Sequence, residues 1–391
     1  MPKRTYLEFF AGGGMARAGL GDSWNCLFAN DFDQMKVETY EANWGTGEIA
    51  HRDVASLALS DLPADVVDLV WASFPCQDLS LAGSYRGLGQ ERDQVATRSG
   101  TFWPFWKLIR GLAQGGRAPR AIVLENVYGC LRSRKGRDFA SIASALIELD
   151  YRFGAAVIDA AHFVPQSRPR VFFLAFRGDQ SIPASLSAER PQEIWHPAAL
   201  AEAYDGIPPA AKRNWIWWNI SQPLARNSTF ADLMEEAPTT VKWHAAAHTN
   251  YILNLMSPLN RQKVSEAIRS GRRMVGAVYR RTRPDETGIK RQRAEVRFDD
   301  VAGCLRTPAG GSSRQIILVV EGKTVKSRLI SPREAARLMG LDEDYVLPER
   351  YNHAYHVCGD GVCVPVVRHI AKHVLEPVLA DREMSEPIAA E

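Results

Sequence analysis

Along the first 180 or so residues, short apolar runs alternate with segments whose apolar residues recur every three or four positions. The runs 6–10, 66–73, 121–124 and 171–176 are rich in β-branched or aromatic residues and end at Gly, Pro or polar residues, which predicts buried strands. A further strand-like run covers 26–30. Between them, Phe139, Ile142, Ala143, Leu146 and Ile147 recur at helical spacing, and 102–112 is a second, bulkier helical stretch. This alternation predicts an α/β fold built on a parallel sheet covered on both faces, with ligands beyond the carboxyl ends of its strands. The pattern lapses after 180. Residues 181–250 are rich in Pro, Ala and Trp, with Trp215, Trp217 and Trp218 clustered, and 251–326 mix basic residues, Gly and strand-like pieces such as 315–320. Order returns at Ser331-Pro332-Arg333-Glu334, where Ser caps a helix, Pro fits its first position and Glu closes a capping box. Residues 366–379 form one more amphipathic helix. The expected organisation is a main domain of 1–180 plus 327–391 interrupted by a smaller, irregular domain, 181–326, with the Trp cluster as the insert's core.

Composition changes this picture little. At 391 residues the chain exceeds one compact core, and 46% hydrophobic with 24% charged residues is ordinary for a soluble globular protein. The net charge is only +3, but 261–293 holds eleven Lys/Arg against three acids, which suits a phosphate-facing surface or, equally, a solvated loop. The six cysteines form no C-x-x-C, so no metal is expected, and their scattered, mostly apolar settings suggest a reducing compartment. Met1-Pro2-Lys3-Arg4 runs straight into a strand-like segment, so no signal peptide is expected. No run of about 18 apolar residues exists, so no membrane partner is expected either.

Five groups of residues carry candidate chemistry. Phe10-Ala11-Gly12-Gly13-Gly14 ends the first run, where glycines let backbone approach a ligand; the spacing is not G-x-G-x-x-G, which disfavours NAD. Asp31 after the second run, Phe32 and Asp53 could serve ribose hydroxyls and an adenine ring, or be an ordinary turn with surface acids. Ser73-Phe74-Pro75-Cys76-Gln77 places a thiol at a strand's carboxyl end, either a nucleophile or a small buried hydrophobe. Glu125-Asn126 can read and protonate a ring nitrogen, with the carboxyl pKa raised by burial, or can cap a turn. Arg168 and Arg170, two apart on an extended segment, should point the same way and could hold phosphate, a carboxylate or a carbonyl.

Taken in order, Phe10–Gly14, Asn30-Asp31-Phe32-Asp33, Phe74-Pro75-Cys76-Gln77, Glu125-Asn126-Val127 and Gln166-Ser167-Arg168-Pro169-Arg170 resemble the DNA (cytosine-5) methyltransferase family of the bacterial modification type. Ser80, Gly83 and Gly100-Thr101-Phe102 continue the likeness. Arg328 to Gly340 resembles the penultimate motif, Gly359-Asp360-Gly361-Val362 the last, and Ala302 to Thr307 with Gly310-Gly311 the end of the target-recognition region. Two features depart from the pattern: Gly359-Asp360 stands where Gly-Asn is usual, and the loop 83–100 looks long.

The resemblance implies a Rossmann-like S-adenosylmethionine-dependent methyltransferase domain with a smaller target-recognition domain. S-adenosyl-L-methionine would be held by Phe10, Gly12, Gly14, Asp31, Phe32, Asp53, Val54, Pro75 and Phe102, with Asp360 and Val362. Cys76 would add to C6 of a cytosine flipped out of double-stranded DNA, Glu125 would meet N3, Arg168 the O2 side, and Asn126 and Arg170 would complete the catalytic group. Ser80, Arg98, Arg306, Arg314 and Gln315 would contact DNA, the last three as base readers, while 261–293 meets phosphates. A monomer acting in the cytoplasm at the nucleoid is implied, with room for a cognate restriction endonuclease encoded separately. A tRNA enzyme of the same fold and a catalytically dead DNA-binding regulator are the rival readings.

Overall fold

The computed structural model describes residues 3–75, 98–284, 288–307 and 314–380. The chain divides into two compact units, one of 1–159, 169–223 and 366–391, the other of 160–168 and 224–365.

The first unit is built on a sheet of seven strands: β1 (Arg4–Phe9), β2 (Trp24–Asp31), β3 (Ile49–His51), β4 (Leu69–Ala72), β5 (Ala121–Val127), β6 (Tyr151–Asp159) and β7 (Pro169–Arg177). Their order is β3-β2-β1-β4-β5-β7-β6. From β3 to β5 neighbouring strands are parallel, but β7 runs antiparallel to both β5 and β6. The sheet is therefore mixed rather than wholly parallel. Only residues 160–168 separate β6 from β7, too few for the dozen or more that a parallel crossover needs. Strand order reverses between β1 and β4, and a ligand crevice belongs at the carboxyl ends there.

The expected strands appear with shifted ends, and two of the shifts matter. β5 runs on through Glu125 and Asn126, and β7 begins at Pro169. Helices α1 (Met15–Leu20), α2 (Gln34–Trp44), α3 (Phe102–Gln114) and α4 (Arg137–Glu148) follow the glycine turn, β2, the 98–101 turn and β5. Asp33 caps α2 by accepting the Met35 N–H at 3.0 Å. On α4, four of the five residues of the predicted face, Phe139, Ile142, Ala143 and Leu146, are buried, and Ile147 is half-buried at its edge.

Residues 181–223 were expected in the insert, yet they pack on this sheet. Trp218 is fully buried with its ring 5.5 Å from Phe176, and Trp215 lies against Phe153 and Phe139. The Trp cluster is thus core of the sheet unit. Gly154 of β6 makes the fit, since a Cβ there would meet the Ile216 carbonyl at 1.9 Å.

The second unit holds an antiparallel four-stranded sheet. Its strands are β8 (Met274–Pro284), β9 (Lys290–Arg297), β10 (Ile316–Glu321) and β11 (Thr324–Leu329), in the order β9-β8-β10-β11. Helices α5 (Ala246–Asn254) and α6 (Pro258–Arg269) join it in a small core that includes Ile252, Met256, Val264, Val278, Val296 and Leu318. Residues 327–365, expected with the main domain, fall here, with α7 (Pro332–Leu338) and α8 (Tyr351–Asp360). The capping box is present: the Ser331 hydroxyl accepts the Glu334 N–H at 3.1 Å, and Glu334 accepts the Ser331 N–H at 2.7 Å. Glu334 also takes both arms of Arg328, at 2.8 and 2.6 Å, with both side chains buried. Residues 366–380 return to the first unit as a helix with a π turn over Ala371–Leu375.

Candidate active site

In the sheet unit, the strand ends gather the predicted residues. After β1, Phe10 and Gly12 take φ of 57° and 58°, and Gly14 takes 78°. Asp31 at the end of β2 is buried, and its carboxylate ties down two turns, accepting the Gly12 and Asp33 N–H groups at 2.9 Å each. The glycines serve different ends. Space is open where a Gly12 Cβ would stand, whereas one on Gly14 would lie 2.3 Å from Trp44 Nε1. Gly14 is required by α2, and Gly12 leaves room above the turn. Phe32, next to Asp31, is 62% exposed. Asp53 caps the short turn Val54–Ser56, accepting the Ala55 N–H at 2.9 Å, and stays exposed beside buried Val54.

At the end of β5, Glu125 is 7% exposed and pairs with Arg170, Nε to Oε1 at 3.1 Å. The sheet explains this. β7 is antiparallel to β5 with Val127 opposite Arg170 and Glu125 opposite Phe172, so Glu125 and Arg170 are diagonal neighbours on one face. Asn126, buried, donates to the Phe74 carbonyl at 3.1 Å. That bond holds the backbone next to Pro75, where the chain approaches Cys76. Cys76 itself and Ser80 lie outside the described residues.

Arg168 does not share the direction of Arg170. It precedes β7, so strand alternation does not govern it, and its buried guanidinium donates to the carbonyls of Leu305, Gly359 and Gly361 at 3.0, 2.9 and 2.7 Å. The arginine beside Glu125 is Arg170.

The match that decides the family is to the model of C-5 cytosine-specific DNA methylases, over residues 5–376. The chain belongs to that family. The methylase is 26% identical to the Type II methyltransferase M.HpaII of Haemophilus parainfluenzae, over 96% of this chain and 90% of that protein. It is also 26% identical to the DNA-cytosine methyltransferase of Escherichia coli (strain K12), over 95% of this chain and 77% of that one. In fold it is similar to S. pombe Dnmt2 methyltransferase, with a TM-score of 0.59, 16% identity and coverage of 96% and 99% of the two chains. The Entamoeba histolytica methyltransferase EhMeth is another such structure, with a TM-score of 0.61, 13% identity and coverage of 97% and 99%. The methylase is accordingly an enzyme, a DNA (cytosine-5-)-methyltransferase with the S-adenosylmethionine-dependent methyltransferase fold.

The structure places the other expected positions of the methylase as follows. Phe102 is wholly buried, its ring 5.2 Å from Phe74 and 5.8 Å from Trp106, so it is core rather than cofactor surface. Gln315, expected to read bases, is 3% exposed and donates its amide to the Gly303 carbonyl at 2.5 Å; a base reader must reach solvent. Arg314 is half-buried, bonded to Asn352 Oδ1 at 2.5 Å with its guanidinium 5.7 Å from the Tyr351 ring centre. Arg306 is exposed. The Arg98 backbone lies in the turn Arg98–Thr101. Asp360 is exposed, its carboxylate 3.0 Å from His356 Nε2, and accepts the Thr307 hydroxyl; Val362 is buried.

Sequence reasoning missed Gln166, His356 and Thr307. Gln166 is fully buried, its Oε1 accepting the Leu305 N–H at 3.0 Å and its Nε2 donating to the Leu338 carbonyl at 2.7 Å. The only signal was its place at the head of the Gln166–Arg170 motif.

Proposed function

We propose that the methylase transfers a methyl group to C5 of a cytosine within a specific double-stranded DNA sequence, through a covalent bond from Cys76 to C6 of an extruded base. The observation that carries this reading is the Glu125–Arg170 pair at the strand ends, with Asn126 fastening the backbone beside Pro75.

The turn fits S-adenosylmethionine. Gly12 leaves open space above the chain, Phe32 offers an exposed ring for the adenine, and Asp31 and Asp53 offer carboxylates to the ribose and the base. Pro75, Asp360 and Val362 carry the roles that their motifs imply. Bound there, the cofactor supplies a methyl group on a positively charged sulfur.

Among the described thiols, burial pushes Cys26 up to about 11 and Cys358 up to about 12, and Cys130 and Cys363 are buried. Cys26 and Cys358 therefore stay protonated and inert near neutral pH, half-buried Cys304 sits 3.4 Å from Arg168 Nη1, and the Pro75-Cys76-Gln77 motif assigns the nucleophile to Cys76. Its thiolate adds to C6 while Glu125 donates a proton toward N3, and the electron pair drawn to C5 makes that carbon nucleophilic. Arg170, already against the carboxylate, meets O2; in this reading it replaces Arg168 there. After C5 takes the methyl group, water removes the C5 proton, the electron pair left behind expels the Cys76 thiolate from C6, and the N3 proton returns to Glu125, which restores the aromatic ring. Taking the base out of the stack costs a few kcal/mol, roughly what unstacking requires. Arg306 and the basic strands β8 and β9 would meet DNA. The relatives' Type II names support a modification enzyme, with a cognate endonuclease as its natural counterpart.

Duplex carrying 5-fluorocytosine at the target should form a denaturation-resistant complex with wild type and none with Cys76→Ala. The target itself comes from bisulfite sequencing of DNA from cells expressing the chain. No covalent complex on that site would overturn the thiol mechanism.

A further inference from the structure

Glu8 lies on β1 between Ala29 of β2 and Trp71 of β4, shortly before Phe10, where the glycine turn begins. Its side chain is buried, and Oε2 has no hydrogen-bond partner among the described residues. The titratable groups that face it come from four elements: Tyr6 of β1, Arg17 of α1, Cys26 and Asp31 of β2, and Tyr40 of α2. Arg17, the cation of this group, is engaged with others. Its Nη1 donates to the Tyr40 hydroxyl at 2.9 Å and lies 3.4 Å from Glu48 Oε2, and its guanidinium sits over the rings of Tyr40 and Trp44. The Tyr40 hydroxyl donates in turn to Cys26 Sγ at 3.5 Å. Burial holds the Glu8 carboxyl up to about 8, against the pull of Arg17. An acid is a costly residue here, since an amide or an apolar side chain of similar length would fill the strand without an ionisable group in the core. What the acid adds is a charge that its surroundings screen far less than water would. That charge reaches the turn: Asp31, which accepts the Gly12 N–H, is close enough to Glu8 for each carboxylate to feel the other.

We infer that Glu8 is a specificity-determining residue, whose negative charge beneath the turn favours the cationic methyl donor over the product left when the methyl group has gone. The inference rests on the reading above, in which this turn holds S-adenosylmethionine. The donor carries a sulfonium and S-adenosylhomocysteine a neutral thioether, and apart from the methyl group the two molecules are the same. A buried anion nearby therefore stabilises the one and is nearly indifferent to the other. Linkage gives the sign: a bound cation favours the ionised carboxyl, so the preference for the donor is absent where Glu8 is protonated and grows as pH rises through its titration.

The test uses the full chain, with S-adenosylmethionine and S-adenosylhomocysteine as probes. Dissociation constants for both are measured by calorimetry at about pH 6 and about pH 9, on either side of the Glu8 titration, for wild type, Glu8→Gln and Glu8→Met. Both variants are uncharged throughout and unlike in hydrogen bonding, so a result that they share reads the charge alone, and either carries the test if the other does not fold. The quantity compared is the product Kd divided by the donor Kd. Losses of binding common to the two ligands cancel in that ratio, and the ligands' own titrations cancel between the proteins. At the lower pH the ratio should be the same in all three proteins. At the higher pH it should be larger in wild type by about threefold or more, the size expected if donor binding lowers the Glu8 titration by about half a pH unit. A wild-type ratio no larger than the variants' at the higher pH, with both ligands bound, overturns the inference alone. Failure of wild type to bind the two ligands overturns the proposed function instead.

Discussion

Glu8 lies on β1 just before the glycine turn, 1% exposed, and its Oε2 has no hydrogen-bond partner among the described residues. Burial pushes its carboxyl up to about 8, with Arg17 pulling it down and Asp31 adding to the rise. Tyr6, Cys26 and Tyr40 surround the same group. A carboxyl raised on folding contributes stability fully present below its unfolded value of 4.5, and that contribution is lost as pH rises through about 8. Glu8→Gln should therefore gain on wild type between about pH 5 and about pH 9, by on the order of a few kcal/mol. Urea denaturation at the two pH values reads this directly, and an equal difference at both would show that Glu8 ionises freely in the fold. At this scale the sequence revealed residue types better than directions. Glu125, Asn126 and Asp31 were singled out because acids and amides at strand ends face ligands. Arg168 and Arg170 could not be told apart, because the strand that aligns Arg170 with Glu125 lies across a hydrogen-bonded ladder, far along the chain from β5. Phe102 and Gln315 were misjudged because burial follows from packing partners that a motif does not name.

Among the elements, those formed locally were legible. The glycine turn after β1, the apolar face of α4 and the Ser331 capping box each depend on residues within a few positions of one another. The β8–β9 pair was visible only as a stretch of positive charge. Pairing places Arg281 opposite Arg293 and Pro284 opposite Lys290, with Lys290 and Arg291 exposed. Arg281 is also ion-paired to Glu295 at 3.6 Å, so the cations that meet phosphate would be sought at the exposed end of the pair. If the strands meet phosphates, Lys290→Ala combined with Arg291→Ala should make the plot of log K against log salt shallower by about two units, at about 0.9 per lost contact. Filter binding across a salt series measures it, and an unchanged slope would remove these strands from the DNA interface.

For the whole molecule, the sheet unit was foreseeable from alternating strands and helices, but its partition from the rest was not. Nothing in residues 181–223 announces that their tryptophans belong with β6 and β7, since the fit depends on Gly154. Exchanging 181–326 for the matching segment of a relative should strip Trp215 and Trp218 from that core and abolish cooperative thermal unfolding. Exchanging 224–365 should retain a cooperative transition; equal behaviour of the two chimeras would refute the boundary. The excursion 160–168 bears on how the chain is made. Gln166 and Arg168 leave the ribosome well before Leu305 and Gly359, whose backbone they grip. During synthesis two buried polar side chains must wait in water for roughly the last third of the polypeptide, at about 5–20 residues per second. Loss of that final third would strand a buried-type cation without its carbonyls, so nascent chains stalled before residue 359 should be the ones most in need of a chaperone.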